Sequence, residues 1–179
     1  MEIEIQKKKI KNLRIKVEDG VIKVSAPRYM NKAEIYRIID NNHKVIDRMK
    51  IEDKNRNRYK NHLFGVQLNT EDEAEIEKIY REELPKVLDK IFEKFIKLTG
   101  LKPVEYNIRK MKVRWGTCYP TRKMININLK LAERPLEQIE AVVLHELVHL
   151  KHYGHDEEFV KECEKYMPNY KIIERELKH

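Results

Sequence analysis

The spacing of apolar residues switches along the chain between a period of two and a period near 3.6, and those switches lay out the elements. Leu13, Ile15 and Val17 alternate with Arg14 and Lys16, Glu18-Asp19-Gly20 supplies a turn, and Val21 to Val24 resumes the apolar run. This predicts a β-hairpin, closed by Pro27. Asn31 is a candidate N-cap for a helix in which Ile35, Ile38, Ile39, Val45, Ile46 and Met49 recur at helical spacing through residue 50. Residues 52–62 are almost wholly polar and read as a linker, followed by a short apolar patch from Leu63 to Leu68 around Gly65. The expected organisation is a hairpin-plus-helix lobe over residues 1–60 and a second domain over residues 70–179.

In that second domain Ile76, Ile79, Tyr80, Leu84, Val87, Leu88, Ile91, Phe92, Phe95 and Leu98 define an amphipathic helix, with Pro85 as a kink or restart and Gly100 as its stop. Two strand-like runs follow, Tyr106 to Trp115 and Met124 to Leu131, joined by a turn containing Pro120. In the second run Ile125, Ile127, Leu129 and Leu131 share a core face, which leaves Asn126 and Asn128 on a face free to line a cleft. Pro135 opens a further helix carrying Leu136, Ile139, Val142, Val143, Leu147, Val148 and Leu150, and Gly154 ends it. Two more helical stretches, split at Pro168, close the chain.

Composition narrows the class. The 179 residues are 41% hydrophobic and 38% charged with 5 Gly and 6 Pro, which fits an element-rich globule and excludes a disordered or fibrous chain. No apolar run approaches the roughly 20 residues that span a bilayer, so a cytoplasmic protein without membrane attachment is expected. Cys118 and Cys163 lack the spacing of a thiolate metal site and read as reduced, small buried hydrophobes. The net charge of +8 lies entirely in the first third: residues 1–60 hold 17 Lys+Arg against 9 Asp+Glu. Nucleic acid is therefore a partner to consider for the basic lobe, although no aromatic-interleaved binding motif accompanies the charge.

The chemistry concentrates in His145-Glu146-Leu147-Val148-His149, an HExxH pattern. Residues i and i+4 of a helix share a face, so two imidazoles can hold one Zn²⁺, and the intervening carboxylate flanks the metal, placed to take a proton from an activated water. The third ligand is contested by His152 and His155, with Glu158 or Glu162 as carboxylate alternatives. His152 sits nearly two turns after His145, too far along the helix axis. His155 follows Gly154, whose freedom to take positive φ can return the chain to the metal, and it is preferred; His152 is then a supporting or substrate-contacting group. Arg114 and Trp115 are candidate substrate-orienting residues, although a lone Trp in a strand reads first as core packing. Tyr170 is a candidate for polarising a scissile carbonyl. The ligand separations equal those of metzincins, but His152 stands where metzincins have Gly.

Taken in order, Arg114-Trp115-Gly116-Thr117-Cys118, Ile125-Asn126-Ile127-Asn128-Leu129, His145-Glu146-Leu147-Val148-His149-Leu150 and Gly154-His155-Asp156-Glu157-Glu158-Phe159 resemble the YgjP-like metallopeptidase family. The resemblance runs well over about residues 73–179, including Met167-Pro168-Asn169-Tyr170, and weakly over the N-terminal lobe. The family's F-x-x-G region appears only as the shortened Leu63-Phe64-Gly65. The resemblance implies an α+β, zincin-like metallopeptidase core, a small antiparallel sheet packed on helices, distantly similar to the SprT and Spartan proteases. It also implies His145, His149 and His155 as zinc ligands, Glu146 as catalytic acid/base, and a peptide or protein substrate. The alternative from another class is a nucleic-acid-associated binding protein with a structural zinc. It is disfavoured because structural zinc normally fills all four positions with protein and leaves Glu146 without a task.

Overall fold

The computed structural model describes residues 2–177, so residues 1, 178 and 179 of the two expected domains lie outside it. The chain divides between Arg58 and Tyr59 into two units.

The first unit opens with β1 (Ile3–Lys8), β2 (Arg14–Glu18) and β3 (Val21–Pro27). The expected hairpin is β2–β3, paired antiparallel with Val17 opposite Ile22. Beyond the expectation, β1 pairs parallel to β3 and makes β3 the central strand. Its alternation of Ile3 and Ile5 is short and runs into Lys7-Lys8-Lys9, which hid it. Next comes α1 (Lys32–Asn41), capped as expected: Asn31 Oδ1 accepts from Glu34 N–H at 2.8 Å, and Glu34 Oε2 accepts from Asn31 N–H at 2.8 Å. The single helix expected over 31–50 is two, because the chain breaks at Asn42 before α2 (His43–Asn57). That second helix runs through most of the expected linker. Polar composition concealed it, since its anchor is itself polar: Asp53, 5% exposed, accepts the Gly20 N–H at 2.9 Å and so ties the helix to the β2–β3 turn.

The second unit begins with a minimal hairpin, β4 (His62–Leu63) and β5 (Val66–Gln67), turned by Phe64 and Gly65 at positive φ. Then α3 (Glu73–Thr99) runs unbroken past Pro85. Leu84 and Leu88, both fully buried on either side of the proline, hold the helix in register, each contributing about 1.5–3 kcal/mol by burial. Gly100 ends it at φ 72°, its N–H on Ile96 O at 2.9 Å.

The run expected as one strand from Tyr106 to Trp115 is instead most of β6 (Glu105–Arg109) and an irregular loop over residues 110–115, after which β7 (Gly116–Tyr119) begins. The next strand, β8 (Met124–Asn128), is central; it lies parallel to β6 and antiparallel to β7, so the sheet is mixed where an antiparallel one was expected. The edge strand beside the cleft is therefore β7, not the Met124–Leu131 run. Both faces of β8 are covered. Ile125 and Ile127 are wholly buried, and Asn126 and Asn128 are each 4% exposed. The strand stops at Asn128 because its Oδ1 accepts from Lys130 N–H at 3.2 Å and starts a 3₁₀ turn over Leu129–Glu133.

Asn128 also staples the 110–115 loop. Its amide donates to Met111 O at 2.9 Å and Arg114 O at 2.8 Å, its Oδ1 accepts from Met111 N–H at 3.3 Å, and its own N–H donates to Trp115 O at 2.8 Å. The unit is completed by α4 (Leu136–Val148), α5 (Glu157–Tyr166) and α6 (Tyr170–Leu177), whose apolar faces join α3 and β8 in one core. Asn128→Ala should cost about 2–3 kcal/mol of stability, measured by urea unfolding, because it strips partners from a buried turn. Asn128→Asp should recover little, since a carboxylate cannot donate to the two carbonyls.

Candidate metal centre

The last turn of α4 presents His145 and Glu146, and His149 stands at its C-cap, with N–H to His145 O at 3.2 Å. The chain coils on as a short turn, Leu150, Lys151 and His152 donating their N–H groups to Leu147 and Val148 carbonyls, before doubling back through Gly154. That turn does the bending: Gly154 is not among the positive-φ residues, so the left-handed glycine expected there is not used. His155 then precedes Asp156, the N-cap of α5, whose carboxylate accepts from Phe159 N–H at 2.9 Å.

The result is a triangle of imidazole nitrogens. Nε2 atoms of His145, His149 and His155 are 3.1, 3.1 and 3.0 Å apart. Three nitrogens held at ~2.0–2.1 Å by a tetrahedral ion would stand roughly 3.3 Å apart. The outer nitrogens set which way the lone pairs point. His149 Nδ1 is 2.8 Å from the carbonyl of His152, a pure acceptor, so Nδ1 carries the proton and Nε2 faces the triangle as a lone pair. Burial lowers the His149 pKa from 6.5 against the opposing pull of the hydrogen bond to the His152 carbonyl, and favours that neutral form. Converging lone pairs at this distance repel unless a cation lies between them, so the donor set fits a metal ion.

Under the triangle lies Phe159, 1% exposed, its ring centroid 4.9, 4.6 and 5.1 Å from those of His145, His149 and His155. Behind His145, the hydroxyl of Tyr170 is 2.5 Å from Nδ1. Burial pushes the tyrosine pKa upward, so the group stays a neutral phenol able to accept from Nδ1–H. Tyr170, expected to polarise a scissile carbonyl, lines the cleft and is placed to orient His145 through Nδ1.

Glu146, 5% exposed, lines the same cleft, of about 700 Å³. Burial raises its pKa to about 8 in the metal-free protein, opposed by the charge of Arg114. Its side chain lies flat on β7: a Cβ at Gly116 would come within 2.5 Å of Oε1. The glycine inside the strand is the signal that sequence reasoning passed over. Cys118, also on the cleft, has its pKa pushed up to about 12 by burial and Glu146, which keeps it an unreactive thiol.

The remaining sequence candidates separate. Arg114 and Trp115 line the cleft, Trp115 also packing as a structural group, with its indole N–H on Leu177 O at 3.0 Å and the Arg134 guanidinium 4.6 Å over its ring. Asn126 and Asn128, expected in the cleft, are buried away from it; Asn126 bonds Thr117 Oγ1 at 3.4 Å, and Asn128 holds the loop. His152 points its ring at Glu162, 3.9 Å off, and its carbonyl meets His149 Nδ1. Glu158 is exposed in an ion pair with Lys161, and Glu162 pairs with Lys151 at 3.0 Å.

Comparison with known proteins decides the family. The model of the YgjP-like, metallopeptidase domain family matches residues 48–179. The chain belongs to the YgjP-like metallopeptidase family. Its second unit is an α+β fold built of a small sheet and helices, and a metallopeptidase requires a metal. Among solved structures, the metallopeptidase zymogen of Pyrococcus abyssi, abylysin, is 23% identical over 50% of this chain and 90% of its own, with a TM-score of 0.46. No curated protein matches the chain. Among the described residues, no helix is long and apolar enough to cross a membrane.

Two outcomes follow for this YgjP-like centre. Tyr170→Phe should weaken metal affinity by about 10–100-fold in a competitive chelator titration while leaving the fold intact. Because the Glu146 pKa of about 8 lies above the ordinary 4.5, the metal-free protein should lose stability as pH rises between those values, by on the order of 5 kcal/mol. Unfolding curves of metal-free Glu146→Gln should show that slope removed.

Proposed function

We propose that this metallopeptidase is zinc-dependent, with His145, His149 and His155 holding the ion and Glu146 serving as general base and then general acid in peptide-bond hydrolysis. The observation that carries the reading is the Nε2 triangle, 3.0–3.1 Å on each side, with Glu146 on the same cleft. An all-imidazole triad with an open fourth side suits catalytic zinc better than hard-cation sites, which select oxygen donors. When bound, zinc supplies Lewis acidity that polarises the carbonyl and acidifies water.

The chain's own groups do the rest. His149 and His145 keep their Nε2 lone pairs on the ion through Nδ1 contacts with His152 O and Tyr170. Phe159 excludes water from beneath the rings and so sharpens the local electrostatics. Glu146 lies against Gly116, where its carboxylate takes a proton from the attacking water and hands it to the departing amine. A nearby cation pulls its pKa down from about 8, towards the range in which one carboxyl can both accept and return a proton near neutrality.

The first unit does not favour a nucleic-acid function. One face of its sheet sets Glu4 and Glu18 among Lys8, Arg14, Lys16 and Lys23, with Lys23 pairing with Glu18 at 3.1 Å and Lys16 approaching it at 3.9 Å. That interrupts the continuous positive stripe a phosphate backbone would follow. Glu146→Gln should keep one zinc per chain by elemental analysis while cleavage of a casein-derived quenched peptide falls by at least about 1000-fold. Near-normal cleavage by that variant would refute the assigned base.

A further inference from the structure

Hydrolysis of a peptide bond moves charge onto the carbonyl oxygen. As the water oxygen bonds to the carbonyl carbon, the π pair goes onto that oxygen; it returns when the C–N bond breaks and the amine leaves with the water's proton. A donor fixed where this charge develops accelerates the step, whereas one that binds only the ground state does not. The cleft offers few such groups. Tyr170 lines the cleft, but its hydroxyl is already engaged by His145 Nδ1 at 2.5 Å. Thr117 Oγ1 faces the sheet, accepting from Asn126 at 3.4 Å. Tyr153 is 80% exposed at the rim.

Arg114 differs from all three. Among the described residues that line the cleft it is the one Lys or Arg. Its backbone is anchored on both sides, its own carbonyl and that of Trp115 each held by Asn128 at 2.8 Å, and the neighbouring indole is pinned to Leu177. Its side chain is nonetheless exposed, so it is not used up in packing. It lines the same cleft as Glu146 and the three histidines.

We propose that Arg114 is a catalytic residue: the cation that meets the scissile carbonyl oxygen as it becomes negative. The assignment rests on the metallopeptidase reading above. It also gives the Asn128 staple a task beyond stability, since a donor aimed at a transition state must be held before the charge appears.

The test uses the zinc-loaded full chain, Arg114→Ala and Arg114→Lys, a casein-derived quenched peptide, and a phosphinic peptide of the same sequence that mimics the tetrahedral anion. The expected result for Arg114→Ala is a kcat lower by about 100–1000-fold with KM within about threefold, and a phosphinic peptide bound correspondingly weaker. Zinc content and melting temperature stay at the wild-type values, and Arg114→Lys retains more activity than Arg114→Ala. A raised KM with unchanged kcat would overturn the proposal by making Arg114 a ground-state contact. Loss of zinc or of thermal stability in step with activity would overturn it by making the residue structural. A wild type that binds no zinc, or cleaves nothing, would overturn the peptidase reading itself and this assignment with it, and is told apart because the unsubstituted protein fails.

Discussion

Three imidazole lone pairs are brought to within 3.1 Å of each other, and the second unit of the fold is arranged around making that tolerable. Left alone, the nitrogens would repel and the rings would turn outward. Helical spacing supplies two of them: His145 and His149 are one turn apart at the end of α4, on a segment whose neighbours Leu144, Leu147 and Val148 are wholly buried and cannot rotate. The third arrives because the chain leaves α4 in a tight turn rather than continuing straight. The carbonyl of His152 serves both purposes, belonging to that turn and fixing the His149 tautomer. A cation at the centre then converts repulsion into binding energy, and part of the site's stability is conditional on its presence.

The same logic extends outward. Phe159 cannot hydrogen-bond, so it presses on the rings without offering them a competing partner. Tyr170 can, and it does so at Nδ1 of His145, leaving Nε2 for the metal. Glu146 is buried deeply enough to hold a proton at neutral pH without a metal, and Gly116 exists to make room for it. On the other bank Asn128 converts an irregular loop into a fixed platform. Rigidity is thus concentrated where charges must be placed in advance, and the exposed residues, His155 and Arg114, are carried on anchored backbone.

Much of this was legible in the sequence, for reasons that differ by element. The α3 helix and its Gly100 stop follow from a long apolar period, and the Asn31 cap follows from short-range chemistry. Helix α2 was misjudged as linker because a polar helix held by one buried aspartate leaves no apolar period to find. Strand β1 escaped notice because its pairing with β3 is parallel and non-local. In the site, His145, Glu146 and His149 announce themselves by spacing, and His155 was preferred through a glycine that turns out not to be left-handed. Asn126 and Asn128 were placed in the cleft by alternation alone. Alternation assigns residues to faces but cannot say which face the rest of the chain will cover, and here β7 and the 110–115 loop cover the asparagines. Tyr170 was noticed, but its contact with His145 Nδ1 was not legible, since sequence distance does not reveal which nitrogen a hydroxyl meets.

The central claim is that His145, His149 and His155 together hold one zinc ion. It is tested most directly by the zinc content of purified wild type beside His155→Ala and His152→Ala, measured by elemental analysis after dialysis against a weak chelator. The account predicts one zinc per chain in the wild type and in His152→Ala, and loss of most of it in His155→Ala. A wild type without zinc, or a His155→Ala protein that keeps its zinc while His152→Ala loses it, would contradict the account.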